Sequence, residues 1–326
     1  MGLLLLMGHR AAAEEGIEAA AARESLDEAW WTGPIGAASA ATLPPGHVLV
    51  EPYLYDAIAV GRYDSSGTFH RIPKEDDYRS LSYTLYGLTD RLTLGLIPHL
   101  GYNQPSEGTS STGVQLGDTT LQAQYRLTQF HEHSLIPTLS IVVGESLPTG
   151  RYDHLGDRPS DGLGSGAYTT TLALYAQDYF WMPNGRIVRT RLDLSYADSP
   201  SVGITGSSVY GTANDFRGRA QLGSPFTADS AYEYSVTRNW VLALDVIYSH
   251  NRQARLSGSI PAPIYGGVAP TAVQALFPVS VSVSLIPAIE YNWRSTRGII
   301  VGAEVVAAGR NTTALVIPVV AVNFVF

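Results

Sequence analysis

The chain has 326 residues, a formal net charge of −8, only 15% charged side chains, 32 glycines, 19 tyrosines and no cysteine. The acidic balance argues against a nucleic-acid binder, and without cysteine neither a disulfide scaffold nor a thiolate metal site can form. No apolar run reaches the ~18 residues of a membrane helix.

In chain order, residues 1–13 resemble a truncated secretory signal peptide: a short apolar run, then Ala11–Ala13 before Glu14, with no basic residue ahead of the leucines. Residues 14–45 form a separate N-terminal segment. Its first part is alanine-rich, predicts a helix, and carries Glu14, Glu15, Glu18, Glu24, Asp27 and Glu28 against Arg23 alone. "TGPIGAASAATLPPG" then breaks that helix.

From residue 46 the dominant signal is a two-residue period. Val279 to Trp293 is the clearest case, with Val279, Val281, Val283, Leu285 and Tyr291 on one side and Ser280, Ser282, Ser284, Glu290 and Asn292 on the other. Twelve strands are predicted near 46–60, 78–89, 91–102, 114–127, 134–147, 167–180, 186–197, 226–237, 240–253, 279–292, 298–309 and 313–326. The connections alternate long and short. Thr89-Asp90, Thr128–His133, Trp181–Gly185, Thr237–Asn239 and Trp293–Arg297 are short; Gly61–Asp77, Asn103–Gly113, Pro148–Gly166, Asp198–Pro225 and Ala254–Pro278 are long, and only Gly309–Thr312 breaks the rule.

Tight turns on one side and long loops on the other are the mark of bacterial outer-membrane barrels. The expected fold is therefore all-β: a transmembrane antiparallel up-and-down barrel of about twelve strands over residues 46–326, preceded by the helical or irregular segment. The last strand, ending at Phe326, must pair with the first so that no edge is left open in lipid.

"GDTTLQAQYRL", "ESLPTG", "AYEYSVTRNWVLALD", "SLIPAIEYNW" and "GAEVVAAGRNTTA" together resemble the outer-membrane barrel family named after the meta-pathway of phenol degradation, over roughly residues 46–326. The resemblance implies an outer-membrane transporter or channel and brings no catalytic residues or cofactor. The partners expected are outer-membrane lipid and lipopolysaccharide, a small-molecule solute, and the barrel-assembly machinery reading the aromatic terminus Phe326.

Twelve strands enclose a backbone diameter of roughly 24 Å, narrowed by side chains to ~10 Å. Alternation turns Glu51, Tyr53, Tyr55, Arg126 and Tyr175 inward. It does the same for Arg189, Arg191, Asp193, Glu233, Asp245, Glu290 and Glu304. With the acids mostly on late strands and the arginines on the fourth and seventh, the expectation is one acidic and one basic wall. These charges either field a permeating solute or pair structurally, Arg189 or Arg191 with Glu233 and Arg294 or Arg297 with Glu290.

Residues 14–45 have two readings. As a plug they would enter the periplasmic mouth, their acids meeting Arg91, Arg126, Arg186, Arg238 and Arg294. As a leader they would rest Trp30 and Trp31 at the membrane interface. His131 and His133 lie in a short turn without a sequence partner, and the spacing of Asp153, Asp157 and Asp161 does not match a calcium loop, so neither a metal nor an enzyme is expected. The function expected is passive uptake of small hydrophobic or aromatic compounds across the outer membrane. The alternative is a structural or surface-interaction barrel with a filled lumen, its outer arginines Arg217, Arg219, Arg252 and Arg255 on lipopolysaccharide phosphates.

Overall fold

The computed structural model describes residues 23–261 and 270–326; residues 1–13, read above as a signal, lie outside these. Twelve strands close into one antiparallel barrel. They are β1 (Val48–Tyr63), β2 (Phe69–Thr89), β3 (Leu92–Ile97, resuming after Pro98 as His99–Gln104), β4 (Thr119–Thr128), β5 (Thr138–Leu147) and β6 (Thr169–Trp181). Then follow β7 (Ile187–Asp198), β8 (Pro225–Ser235), β9 (Trp240–Asn251), β10 (Ser280–Arg294), β11 (Arg297–Arg310) and β12 (Thr312–Val325). Closure is between β12 and β1: Tyr53 faces Ala321, and Val48 and Phe326 exchange backbone hydrogen bonds at 3.1 and 2.9 Å. No barrel edge is left to lipid.

The burial pattern is that of a soluble protein turned inside out. Leu54, Leu96, Leu172, Leu242, Ile289 and Val301 are exposed, whereas Glu233, Asp245 and Glu290 are fully buried. An apolar exterior around a polar interior is stable only in a bilayer. Alternation holds along β10, where Ser284 is buried and Leu285 exposed. Trp240 packs on Tyr291 at 4.7 Å between ring centroids, in the aromatic girdle at the end of β9 and β10 that adjoins the tight turns.

Three stretches read as loops contain strands. Of Gly61–Asp77, only Asp64–Thr68 is a turn: β1 and β2 run on beyond the membrane, and the Asp64 carboxylate accepts the amides of Ser66 (2.8 Å) and Thr68 (3.0 Å). Asp198–Pro225 and Ala254–Pro278 contain Val202–Thr205, Arg217–Gln221, Ala254–Ile260 and Thr271–Phe277, which form a four-stranded sheet outside the barrel. Above the lipid neither face must be oily, so the alternation that marks a membrane strand fades. Of the expected helix, residues 14–22 lie outside the described residues; from Arg23 there is one 3-10 turn, Leu26–Glu28, and the rest is irregular. Beyond that turn Gly33, with φ +123°, Pro34 and Gly36 keep the chain out of a helix, in the stretch read above as the break.

Candidate functional site

The site begins at the rim bearing the tight turns. There Glu24 is fixed from three directions: its amide donates to Gly185 O (3.0 Å), its carbonyl accepts the Trp181 indole (2.8 Å), and its carboxylate pairs with Arg186 (3.1 Å). Glu28 pairs with Arg238 at 3.1 Å, and the same guanidinium lies over the Trp30 ring. Of the turn arginines named above, Arg186 and Arg238 thus meet the segment.

The chain then enters the barrel. The stretch from Thr32 to Thr42 is built of small residues, so its backbone can approach the wall, and every buried amide and carbonyl then needs a partner. Wall carboxylates take the amides. Glu290 Oε2 accepts Thr32 N (2.7 Å) and Gly33 N (3.2 Å), Asp245 Oδ1 accepts Gly36 N (3.2 Å) and Ala37 N (3.0 Å), and Asp193 Oδ2 accepts Ala38 N (2.7 Å). Wall donors take the carbonyls. Asn292 reaches Trp30 O (3.1 Å), Arg191 reaches Ala37 O (2.8 Å), Gln124 reaches Ser39 O (2.9 Å) and Ser140 reaches Ala40 O (2.6 Å). The segment leaves past Thr93, whose hydroxyl accepts Leu43 N at 2.9 Å.

Glycines in the wall make room for it. A Cβ at Gly298 would stand 1.9 Å from Thr32 Oγ1, one at Gly302 2.6 Å from Ile35 Cδ1, and one at Gly87 2.1 Å from Pro44 O. Ile35 in turn packs against the buried cluster Tyr53, Ala243, Ala288, Ile300, Val319 and Ala321. Barrel interior and segment therefore share one core.

The charges do not form two opposed walls. Arg189, Arg191 and Asp193 on β7, Glu233 on β8, Asp245 on β9 and Glu290 on β10 occupy four consecutive strands. Register explains this: Glu233 lies directly across from Arg189 in the β7–β8 ladder. Arg189 binds both Glu233 oxygens, Arg191 stands 3.4 Å from one of them, and the Arg189 guanidinium sits 4.6 Å over the Trp31 ring. Glu290 is met by segment amides, in place of the expected Arg294 or Arg297. Among the described residues, one oxygen each of Asp193, Asp229, Asp245 and Glu290, and the Arg191 Nε, are buried without a hydrogen-bond partner.

The remaining named residues divide by height. Glu51, Tyr53 and Tyr175, with Tyr83 and Leu85, line a cavity of about 240 Å³ left between the segment and the wall. Tyr55 borders a separate cavity of about 230 Å³ with Arg79 and His99, lined also by Leu163 of the 148–168 loop. Glu304 is half-buried on β11, and Arg126 sits at the rim beside Arg91 and His131, apart from the segment. The alternation pointed to none of Asp229, Gln124, Ser140 or Asn292 as a site residue, although each shares the inward parity of its strand. Asp229 lies opposite Asp193 in register and would be only 2.3 Å from a Cβ at Gly36.

A family model described as "Putative MetA-pathway of phenol degradation" matches residues 65–259. Among solved structures, an outer membrane channel from Pseudomonas putida F1 aligns at 15% identity over 90% of this chain and 100% of that one, with a TM-score of 0.64. The toluene transporters TodX of Pseudomonas putida and TbuX of Ralstonia pickettii each align at 9% identity over 86% of this chain and 90% of theirs, with TM-scores of 0.36 and 0.35. The first likeness shows the fold; the other two are too distant to bear on it. No curated protein matches the chain.

Proposed function

We propose, from the premise that this chain belongs to the phenol-degradation MetA-pathway family, that it is an outer-membrane channel for small apolar or aromatic compounds, with residues 23–45 as its plug and 46–326 as the barrel. The observation that carries this reading is the way the lumen is filled. A separate length of chain, Thr32 to Leu43, lies inside the barrel and is hydrogen-bonded to side chains of the wall. A barrel filled by its own side chains alone would need no such segment. Beside that segment the cavity of Tyr53, Tyr83, Tyr175 and Leu85 offers ring faces and apolar edges, with Glu51, Arg189, Arg191, Gln122 and Asn323 as polar contacts, a lining that suits an aromatic ring bearing a polar group. The phenol-degradation description of the matching family is consistent with the same solute class. The test is uptake of phenol or toluene into liposomes holding the purified full-length protein, against protein-free liposomes. Uptake above that control supports the channel, and none removes it.

A second reading, a filled barrel acting through its surface, draws on the outer mouth. Ser160 and Asp161 of the 148–168 loop bind Asn103, Ser111 and Thr112 of the neighbouring loop, which closes that end as well. It predicts no conductance with or without the plug.

A further inference from the structure

Strands β7 to β10 do not end at the membrane. Pro225 pairs with Asn251 in the barrel and Gln221 with Arg255 above it; Asn251 pairs with Ser280 and then Ala254 with Phe277; Tyr196 pairs with Phe226 and then Val202 with Ala220. The outer sheet is thus the same ladder continued. Its faces, however, are exchanged. On β7, β8 and β9 the buried positions within the membrane are odd (Arg191, Glu233, Asp245) and above it even (Val202, Ile204, Ala220, Leu256); on β10 they are even below (Ser284, Glu290), while Val273 and Ala275 pack on the outer core above. Across the short breaks 199–201, 222–224 and 252–253 the register is kept while the buried parity changes.

This exchange fixes which way the sheet looks. Its apolar face packs on Phe216 and Tyr152, and the loop carrying Tyr152 sends Leu163 down into the mouth against Gly101 and Arg79. The opposite face is therefore turned away from the mouth, towards the surrounding leaflet. It presents Arg217, Arg219 and Arg255, all exposed, with Ser257 and Gln221 between them. Among the described residues none of the three has a carboxylate partner, and Arg219 donates only to Ser201. The sequence around them, 216–224 and 252–279, holds no Asp or Glu in a chain of net charge −8; Asp215, just before the strand, is the nearest acid in sequence. Directly below, Tyr196 and Tyr248 face lipid at the tops of β7 and β9 and mark the outer interface.

We propose that this arginine face binds the phosphorylated headgroup of an outer-leaflet glycolipid. The position places guanidinium forks at headgroup height, and planar forks match phosphate bidentately where a lysine would act as a point charge. The assignment holds whether or not the lumen conducts.

The experiment uses full-length protein in detergent and native mass spectrometry, with diphosphorylated lipid A, the same lipid dephosphorylated, phosphatidylglycerol and inorganic phosphate as probes. Diphosphorylated lipid A is expected to bind at least about tenfold more tightly than the dephosphorylated form or phosphatidylglycerol, and to weaken as salt rises. The R217Q/R219Q/R255Q variant is expected to lose most of that difference while its barrel still shows heat-modifiable mobility. Equal binding of the two lipid A forms by the unmodified protein overturns the proposal, and needs no variant to fold. So do undiminished binding by the triple variant, equal binding of phosphatidylglycerol, and competition by inorganic phosphate at equal concentration, which would indicate a small-anion site.

Discussion

Glu290 Oε2 accepts the amide hydrogens of both Thr32 (2.7 Å) and Gly33 (3.2 Å), so one buried carboxylate caps two consecutive residues of the plug. Asp245 repeats the arrangement on Gly36 and Ala37, and Asp193 takes Ala38. A plug held in this way is a length of backbone with no ladder partner of its own, gripped by acceptors spaced along three strands.

A hydrogen bond contributes about 0.5–1.5 kcal/mol net, and more where the acceptor is ionised. E290Q, D245N and D193N keep side-chain size but replace one acceptor oxygen with an NH2 donor. Each is expected to raise amide hydrogen exchange at residues 32–38 by about tenfold, a loss of about 1.4 kcal/mol in local opening free energy. Exchange in β5 and β6 should be unchanged. Unaltered exchange at 32–38 would mean that these carboxylates do not hold the plug.

A steric test acts on the plug without touching the wall. A Cβ at Gly36 would lie 2.3 Å from Asp229 Oδ2 and 3.1 Å from Asp245 Oδ1, whereas one at Gly46 meets nothing within 4 Å. Gly36→Val should displace the plug and raise single-channel conductance several-fold. Gly46→Ala carries only the strain of φ +80° and should leave conductance near its starting value. Equal conductance in the two variants would remove the argument.

Arg189 and Glu233 form a buried pair, and removing one partner strands the other's charge at a cost of about 3–5 kcal/mol. Arg189→Met alone should therefore lower the midpoint of urea unfolding markedly. Adding Glu233→Gln should restore only part of the loss, because Arg191, 3.4 Å from Glu233, then loses its carboxylate neighbour. A double variant as unstable as Arg189→Met would show that geometry, not charge balance, governs this site. The Arg189 guanidinium over Trp31 should also make indole fluorescence respond to the single variant.

The outer hairpin provides a pH test outside the membrane. The Ser66 hydroxyl foremost, then His70 and the Thr68 amide, hold the Asp64 carboxyl well below the usual carboxylate range. A depressed carboxyl contributes stability that is fully present above its unfolded value near ~3.9 and is lost as pH falls through the lower folded value. Amide protection at Ser66 and Thr68, corrected for intrinsic rates, should thus persist at pH 4 and decline only below it, while Asp64→Asn should lack it throughout. Loss of protection already at pH 5 would contradict the assignment.

How much of this was legible in the sequence follows from where lipid is. Across the bilayer one face of each strand must be oily, so β10 could be read residue by residue, and so could the inner-face parity of Asp193, Asp245 and Glu290. Beyond the bilayer that constraint lapses. The continuation of β1 and β2 past Gly61, and the Arg217–Gln221 and Ala254–Ile260 strands, then looked like loops. Parity also gives only the face, not the neighbour. The Arg189–Glu233 pairing across one ladder was readable, but the partners of Glu290 and Asp193 lie 258 and 155 residues away in the plug and leave no local trace. Of the helix suggested by the alanines, the described part from Arg23 makes a single 3-10 turn at the rim, where Glu24 pairs with Arg186 and Glu28 with Arg238.

The most direct measurement is single-channel conductance in planar bilayers, comparing full-length protein with a variant lacking residues 23–43. The plug account predicts small or rare openings for the first and a steady conductance several-fold larger for the second, with the barrel still heat-modifiable. A folded deletion variant that conducts no better than the intact chain would contradict it.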